Sequence, residues 1–468
     1  MTAKRLQGEK RMLLGMIWAL AWPTMLEQLM STAVQYVDAA MVGRLGAMAT
    51  AAVGATTTVS WLLGSTVSAL GIGFLSFIAQ AYGANDRERA ARTSSQAVLA
   101  VLFSGTLFTV LPLLLWRQVP VWMHADPEIQ TLSGQYFAIL YIPMLARAAS
   151  TIFGTALRAT GDTKTPMRAG IAMNLVNVVL NYFLIYETRT VHLLGLSFTM
   201  PGAGWGVIGA AIASAVSYVV GGVWITCALW RHPVISPRGQ RLRPDWEVLR
   251  PCLKVALPSA LQRFGTSFGY VAFASMINAL GTVSLAAHSI ANTVESAFYI
   301  PGYGMQTAAA TLTGNALGAG DAKRMQQLAR MLVAIEVALM IVSGGLLFAF
   351  APGMMSLFTV DAAVIALGAT VLRMVAVSEP FYGVSIILEG MLQGTGDTVT
   401  PFAFNIIGMW GVRILATYIC TKLLHYGLVS AWACMIAHNL LLFSLLVIHY
   451  LRGKWNPLTR SDSVKKQI

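Results

Sequence analysis

Six acidic side chains fall within long apolar stretches of the sequence, where they could bind a proton or a metal cation. An ionised carboxylate in lipid is costly, so each should face a cavity, a partner or an ion. Two of the six fall in the predicted cytoplasmic halves of their helices, and we interpret them as structural: Glu27 and Glu336. The other four are the candidates for chemistry: Asp38, Glu295, Glu379 and Glu389.

Three asparagines form a polar stripe in another apolar stretch. Asn174, Asn177 and Asn181 are spaced i, i+3 and i+7, which places them on one face of a helix. Amide side chains within a membrane span most often hold helices together. For Asn174, that role and a role in a binding site are equally open.

The composition predicts an all-α membrane protein. Hydrophobic residues make up 56% of the 468 residues and charged residues only 11%, whereas soluble domains carry about 25% charged residues. A span needs about 20 apolar residues. Twelve stretches of sufficient length are predicted as helices, at 13–41, 50–81, 94–116, 131–157, 167–186, 204–230, 252–279, 284–317, 328–351, 363–393, 400–421 and 428–451.

The distribution of basic residues predicts the orientation of these helices. An even number of spans puts both termini on one side of the membrane, and Lys and Arg mark the cytoplasmic side. Most of the 32 Lys and Arg residues fall on the side of the termini, so we expect both termini to be cytoplasmic and the chain to cross the inner (plasma) membrane. Only four fall in the opposite loops: Arg44, Arg117, Arg189 and Lys422.

An internal repeat divides the chain into two halves of six helices. At an offset of 235 residues, 160–163 and 395–398 both read Thr-Gly-Asp-Thr, and Gly83 meets Gly318. The Gly-Asp pair predicts a structural role in both copies, as a turn followed by a capped helix start. We predict an N-terminal bundle at 1–230, a basic cytoplasmic linker at 231–251 and a C-terminal bundle with a short cytoplasmic tail at 252–468. Six helices per repeat give two parallel copies, an arrangement typical of transporters with a site between the halves. Channels and membrane enzymes also use duplication.

Several motifs, in order along almost the whole chain, resemble those of the multidrug and toxic compound extrusion (MATE) family, in its bacterial or archaeal form. They are V-D-A-A-M-V-G at 37–43, Q-A-Y-G-A at 80–84, L-R-A-T-G-D-T at 157–163, G-N-A-L-G-A at 314–319 and L-Q-G-T-G-D-T at 392–398. The resemblance implies twelve helices in two pseudo-symmetric bundles around a central cavity. It also implies a secondary antiporter that exports organic cations or drugs in exchange for H⁺ or Na⁺.

The resemblance also implies a cation-coupling site in the first half. Asp38 matches the family's helix-1 aspartate, and Asn177 and Asn181 match positions that complete this site in some relatives. The position of Asn181 is often Asp there, so the site in this chain has one carboxylate fewer. Ser214 matches a hydroxyl position, although close helix packing explains a small residue there equally simply. A Na⁺ site at Asp38, Asn177 and Asn181 is one interpretation, because hard cations accept carboxylate and amide oxygens.

The second half departs from the NorM-like branch of the family. The expected helix-7 glutamate is Thr266, and the expected helix-10 aspartate falls near Phe381. Glu295, Glu379 and Glu389 would then supply charge to the substrate or to coupling. For Glu389 we favour a structural pairing with an arginine.

Aromatic side chains in the spans would hold a flat organic cation by stacking and cation–π attraction, although ordinary helix packing explains them equally simply. The two we select are Tyr36 and Tyr299.

Other functions fit the sequence less well. A flippase for a lipid or a lipid-linked saccharide is the alternative, and it should have further C-terminal helices or a strongly basic cavity. No filter-like loop indicates a channel, and no enzyme or ATP-binding motif is present. We therefore expect a monomeric transporter, not an enzyme, without a cofactor. Its partners would be membrane lipid and small organic cations, and not nucleic acid.

Overall fold

A computed structural model describes residues 3–193 and 196–459 of the chain. In these residues the first half comprises eight helices and one hairpin of two antiparallel strands, β1 and β2. The elements are α1 (Ala3–Gly43), α2 (Ala47–Gly83), α3 (Arg87–Leu115), α4 (Gln118–Trp122), α5 (Pro127–Tyr141), α6 (Met144–Ala159), α7 (Lys164–Leu184), β1 (Glu187–Leu193), β2 (Leu196–Ala203) and α8 (Gly206–Arg231).

The second half is helical throughout its described residues. Its elements are α9 (Trp246–Asn278), α10 (Thr282–Gly318), α11 (Ala322–Ser356), α12 (Ala362–Thr395), α13 (Val399–Ile406), a π-helical segment (Ile407–Ile414), α14 (Leu415–Tyr418), a second π-helical segment (Ile419–Leu423) and α15 (Leu428–Leu451). The end of the predicted cytoplasmic tail, 460–468, lies outside the described residues.

The apolar helices confirm a multi-pass membrane protein. Eight helices of the described chain are long and apolar enough to cross a membrane, and the bent pair α5–α6 makes a ninth span. Three more helices, α1, α9 and α10, are of 41, 33 and 37 residues. At about 1.5 Å per residue they exceed the roughly 30 Å of a bilayer core. These three are more polar than the others and lie where the two halves meet.

The fourth predicted helix, 131–157, is wrong as a single straight span. The structure has two helices there, α5 and α6, which meet at an angle of 50°. Pro143 sits between them, and proline lacks the amide hydrogen that a continuous helix requires at that point.

The segment between α7 and α8 folds as a β-hairpin that was not predicted. Glu187 pairs with Ala203 and His192 with Ser197 in antiparallel register. The guanidinium of Arg189 lies over the rings of Tyr182 and Tyr186, 4.2 and 4.1 Å from their centroids. These cation–π contacts pack the hairpin against the end of α7.

The repeated Gly-Asp turns have the structural role that the sequence predicted. Gly161 and Gly396 adopt φ of +91° and +88°, a region that favours glycine. The following aspartates cap the next helices: the amides of Thr165 and Thr400 each donate to an aspartate oxygen at 3.0 Å. The two copies of the repeat thus fold alike at this turn.

The two halves touch through the ends of α2 and α10, in a pair of contacts related by the 235-residue offset. A Cβ on Gly83 would collide with the carbonyl oxygen of Asn315, and one on Gly318 with that of Gln80. The Gln80 amide donates to the carbonyl of Gly394 at 3.2 Å. With its amide turned to donate, Asn315 reaches the equivalent carbonyl, of Ala159, at 3.3 Å. We call this pair of contacts the glycine closure.

The glycine closure predicts a specific sensitivity to added methyl groups. Gly83→Ala and Gly318→Ala each place a Cβ against a facing carbonyl, so α2 and α10 must move apart. We expect a loss of about 1–3 kcal/mol in the free energy of unfolding for each variant, as for other overpacked contacts. Thermal unfolding of the purified protein in detergent micelles measures this loss.

Gly54→Ala is the matched control for these variants. Gly54 is also in α2, but nothing lies within 4 Å of its Cβ position. This variant should be neutral or slightly stabilised, because alanine favours helix over glycine. If Gly54→Ala lost as much free energy of unfolding as Gly83→Ala and Gly318→Ala, the glycine closure would not depend on its two glycines.

Candidate functional site

Asp38, on α1, is the centre of a polar cluster with α7 and α8. The Asn181 amide donates to Asp38 Oδ1 at 2.6 Å and to Asn177 Oδ1 at 3.1 Å. Asn177 in turn lies 3.1 Å from the Ser214 hydroxyl. The residues that the sequence predicts as a cation-coupling site are thus neighbours in space. Asn174, one turn earlier on α7, is not part of this hydrogen-bonded cluster.

The Asn177 amide is best satisfied with its nitrogen toward Asp38. In that orientation the nitrogen donates to Asp38 Oδ1 and Oδ2 at 2.7 and 3.1 Å, while the oxygen accepts from Ser214. The amides of Asn177 and Asn181 can then both donate to an ionised Asp38.

Asn181 adds an acceptor without a donor. Its side chain is buried, and its Oδ1 has no hydrogen-bond partner among the described residues. A buried carbonyl oxygen without a partner is costly. The nitrogen of Asn181, and not this oxygen, faces Asp38. The carboxylate of Asp38 is the group in the cluster that suits a bound proton or a hard cation such as Na⁺, and the amide oxygens of Asn177 and Asn181 would have to turn toward that cation to bind it.

A polar cavity of about 170 Å³ lies where α2 faces the second half. Trp61 and Ile72 of α2 form its wall on the first half. The remaining wall comes from α9, α10, α12, α15 and the region after α12. It contains one basic and one acidic side chain, Arg263 and Glu389, among neutral hydrogen-bonding groups and aromatic rings. These include Gln262, Thr266, Ser267, Tyr270, Tyr303, Gln306, Tyr382, Ser385, Gln393, Asn405, His438 and Asn439.

Three tyrosines form an aromatic group beside this cavity. Tyr299 packs edge-on against Tyr303 and Tyr382, with ring centroids 5.9 and 5.7 Å apart. The hydroxyls of Tyr303 and Tyr382 are hydrogen-bonded at 3.0 Å. Tyr36, on α1, is 45% exposed and lies apart from them. Its hydroxyl is 3.3 Å from that of Ser296 on α10, so it bridges the two halves.

The candidate acids of the second half occupy different environments. Glu295 and Glu379 are buried inside the bundle, and Glu379 Oε2 has no hydrogen-bond partner in the described chain. Glu389 faces the cavity and accepts a hydrogen bond of 2.5 Å from the Asn405 amide. Glu389 shares the cavity wall with Arg263, although the described residues contain no ion pair of Glu389 within 4 Å, so its pairing with an arginine stays a prediction.

Glu336 was predicted to be structural, and the structure places it in an unusual environment. It is 0% exposed, and neither carboxylate oxygen has a hydrogen-bond partner within the described ranges. A Cβ on Gly302 would lie 2.6 Å from its Oε1, and one on Gly383 3.2 Å away. Glycines on α10 and α12 therefore leave room for this carboxyl group. The acid and the two glycines that make room for it lie on three different helices, so no local sequence pattern predicts this environment.

The first π-helical segment presents Arg413 to the interior of the second half. Arg413 is buried, and its guanidinium lies over the rings of Phe273 and Tyr270, 4.2 and 4.9 Å from their centroids. Such cation–π contacts are stronger where the cation is desolvated. The contact explains how a permanent charge is accommodated within the span.

A family model described as MatE matches the chain twice, at residues 23–183 and 258–419. The two matches begin 235 residues apart, at the offset of the internal repeat. They cover more than half of the chain.

Curated relatives match over most of their length. The probable multidrug resistance protein NorM of Thermotoga maritima is 26% identical, over 93% of this chain and 92% of its own. The probable multidrug resistance protein YoeA of Bacillus subtilis is 25% identical, over 88% and 87%. A solved structure described as MATE in the bent conformation has a TM-score of 0.86 at 23% identity, and covers 96% of this chain and 97% of that one. This confirms the predicted two-bundle fold of twelve helices.

Burial of Glu336 without a partner predicts an unusual response to neutral substitution. Glu336→Gln keeps the shape of the side chain but cannot ionise. A buried carboxyl group without a partner is destabilising, and a side chain that cannot ionise removes the cost of burying a charge. We therefore expect Glu336→Gln to unfold at the wild-type temperature or above it, which thermal unfolding of the purified protein in detergent micelles measures.

Glu27→Gln is the control with the opposite expectation. Glu27 accepts a hydrogen bond from Arg158 in an ion pair of 2.5 Å. Its loss should lower the free energy of unfolding by about 1.5–3 kcal/mol at neutral pH. A Glu336→Gln variant destabilised like Glu27→Gln would show that Glu336 is ionised and paired in the fold.

Proposed function

The chain belongs to the MatE family of membrane transporters, and on that premise we propose that it is an ion-coupled antiporter that exports drugs or other small organic cations. The names of its relatives, which are probable multidrug resistance proteins, support export of drugs. The observation that supports coupling is the Asp38 carboxylate within the helical bundle, next to the amides of Asn177 and Asn181 on α7.

In this proposal Asp38 alternates between an ionised and a neutralised form during the transport cycle. With Asp38 ionised, two amides can donate to it and hold the cluster together across α1 and α7. When H⁺ or Na⁺ neutralises it, the charge-assisted hydrogen bonds from α7 weaken. A ligand moves a two-state equilibrium only through its different affinity for the two states. The change in these hydrogen bonds between α1 and α7 would provide that difference within the first half.

We propose that substrate binds between the halves, at the polar cavity. At about 170 Å³ this cavity is below the roughly 300–1,000 Å³ of small-molecule pockets, so the halves must move apart to admit a drug. The aromatic rings of the cavity suit a flat organic cation, which they would hold by cation–π attraction. Glu389 would supply a charge of opposite sign. Glu295 and Glu379 lie deeper inside the bundle and would act on substrate only indirectly, through packing.

The proposed setting is the inner (plasma) membrane, with both termini in the cytoplasm. The excess of Lys and Arg on the side of the termini supports this orientation. In this orientation the glycine closure lies at the cytoplasmic end, and it must open for substrate to enter from the cytoplasm. We propose that one chain is sufficient for transport, because the cluster and the cavity are each formed within a single chain. Flipping of a lipid-linked saccharide is not favoured.

Transport in proteoliposomes tests this proposal. Efflux of a fluorescent organic cation should respond to an imposed pH gradient or to an imposed Na⁺ gradient, but not equally to both. Asp38→Asn should lower gradient-driven transport at least tenfold, because the site can no longer exchange its charge. Movement without any gradient, or full activity in Asp38→Asn, would contradict coupling at this residue.

Asp126→Asn is the matched control for Asp38→Asn. Asp126 caps α5 in a loop and accepts a hydrogen bond from the Glu128 amide at 3.2 Å. Asparagine caps helices about as well as aspartate. This variant should therefore transport at the wild-type rate, while carrying the same change of charge as Asp38→Asn.

A further inference from the structure

An open groove of about 770 Å³ runs along the outer surface where α2 meets α9, distinct from the polar cavity. Its floor is apolar and includes Leu70 on α2 and Ala256 on α9. Its volume is within the range of about 300–1,000 Å³ that is typical of small-molecule pockets. The groove joins the two halves of the molecule, because each contributes one wall.

The α9 wall changes from basic to apolar along its length. Arg250 and Lys254, both exposed, lie one turn apart near the start of α9, beside Trp246. Leu253, Leu257 and Ala260 continue the same face of the helix. From Arg250 to Ala260 the helix rises about 15 Å. This is half of the roughly 30 Å hydrocarbon core, the depth of one leaflet.

Along the groove, basic groups followed by apolar surface match the charged headgroup and the acyl chain of a phospholipid. A basic pair stands at the end of the groove nearest the chain termini, and an exposed tryptophan, typical of the membrane interface, stands beside it. Apolar surface then follows for the length of an acyl chain. The two positive charges oppose entry of the organic cations proposed as substrates. They favour instead the anionic lipids that basic pockets between membrane helices bind.

We propose that this groove binds one anionic phospholipid from the leaflet on the side of the chain termini. The headgroup phosphate contacts Arg250 and Lys254, and one acyl chain lies along Leu253, Leu257 and Leu70. Such a lipid touches both halves at once, so it stabilises the arrangement in which α2 and α9 lie side by side. This proposal does not depend on the transported substrate.

Native mass spectrometry of the purified full chain tests the proposal. Dissociation constants are measured for phosphatidylglycerol, phosphatidylcholine and the soluble glycerol phosphate. The wild type should bind one phosphatidylglycerol molecule at least tenfold more tightly than phosphatidylcholine, and glycerol phosphate weakly. Arg250→Gln with Lys254→Gln should remove this preference. Equal binding of both lipids, or an unchanged preference in the double variant, would overturn the proposal.

Two further variants separate the groove from general surface charge. Arg238→Gln with Arg241→Gln removes the same charge from the nearby loop, outside the groove, and should keep the preference. Ala260→Trp fills the apolar end and leaves both basic residues in place, and it should weaken phosphatidylglycerol binding by roughly tenfold. Loss of preference in the loop variant, or full binding in Ala260→Trp, would show that the lipid does not occupy the groove.

Discussion

The arrangement of the two halves depends on backbone contacts that only glycine allows. Because Gly83 and Gly318 have no Cβ, each lies directly against a backbone carbonyl of the facing helix. Gly83 of α2 meets the carbonyl of Asn315, and Gly318 of α10 meets that of Gln80. The two contacts are equivalent by the 235-residue offset and lie at the same end of the molecule. Thr24 adds to the contact between the halves by donating to the carbonyl of Gly304 at 2.9 Å. Separation of the halves at this end must break all of these contacts.

The three long helices that are less apolar than the other spans carry ionisable groups that are shielded from lipid. These helices are α1, α9 and α10. A side chain that faces a partner or a cavity does not need to be compatible with lipid. Arg263 of α9 lines the polar cavity between the halves, whereas Asp38 of α1 contacts α7 within the first half and Glu295 of α10 is buried within the second. The lower hydrophobicity of these helices therefore reflects both the interface between the halves and the interior of each bundle.

The sequence predicted those parts of the molecule that depend on local or repeated patterns. The offset of 235 residues anticipated the double family match, and the Gly-Asp turns formed as expected at Gly161 and Gly396. Asp38, Asn177 and Asn181 were selected by resemblance and do converge. The bend was missed although Pro143 is a local signal for it, and the hairpin and the π-helical segments were not predicted either. The environment of Glu336 could not be predicted from local sequence, because it is formed by glycines on two other helices.

Arg413 makes the two halves differ in charge near corresponding positions. At the repeat offset, Asp38 corresponds to Phe273 and Asn177 to Val412, the residue that precedes Arg413. The guanidinium over Phe273 therefore lies beside the position that corresponds to the Asp38 carboxylate. The second half carries a positive charge there that is fixed to the chain, whereas the first half carries an acid. Duplication has thus given two copies of one fold groups of opposite charge at neighbouring, corresponding positions.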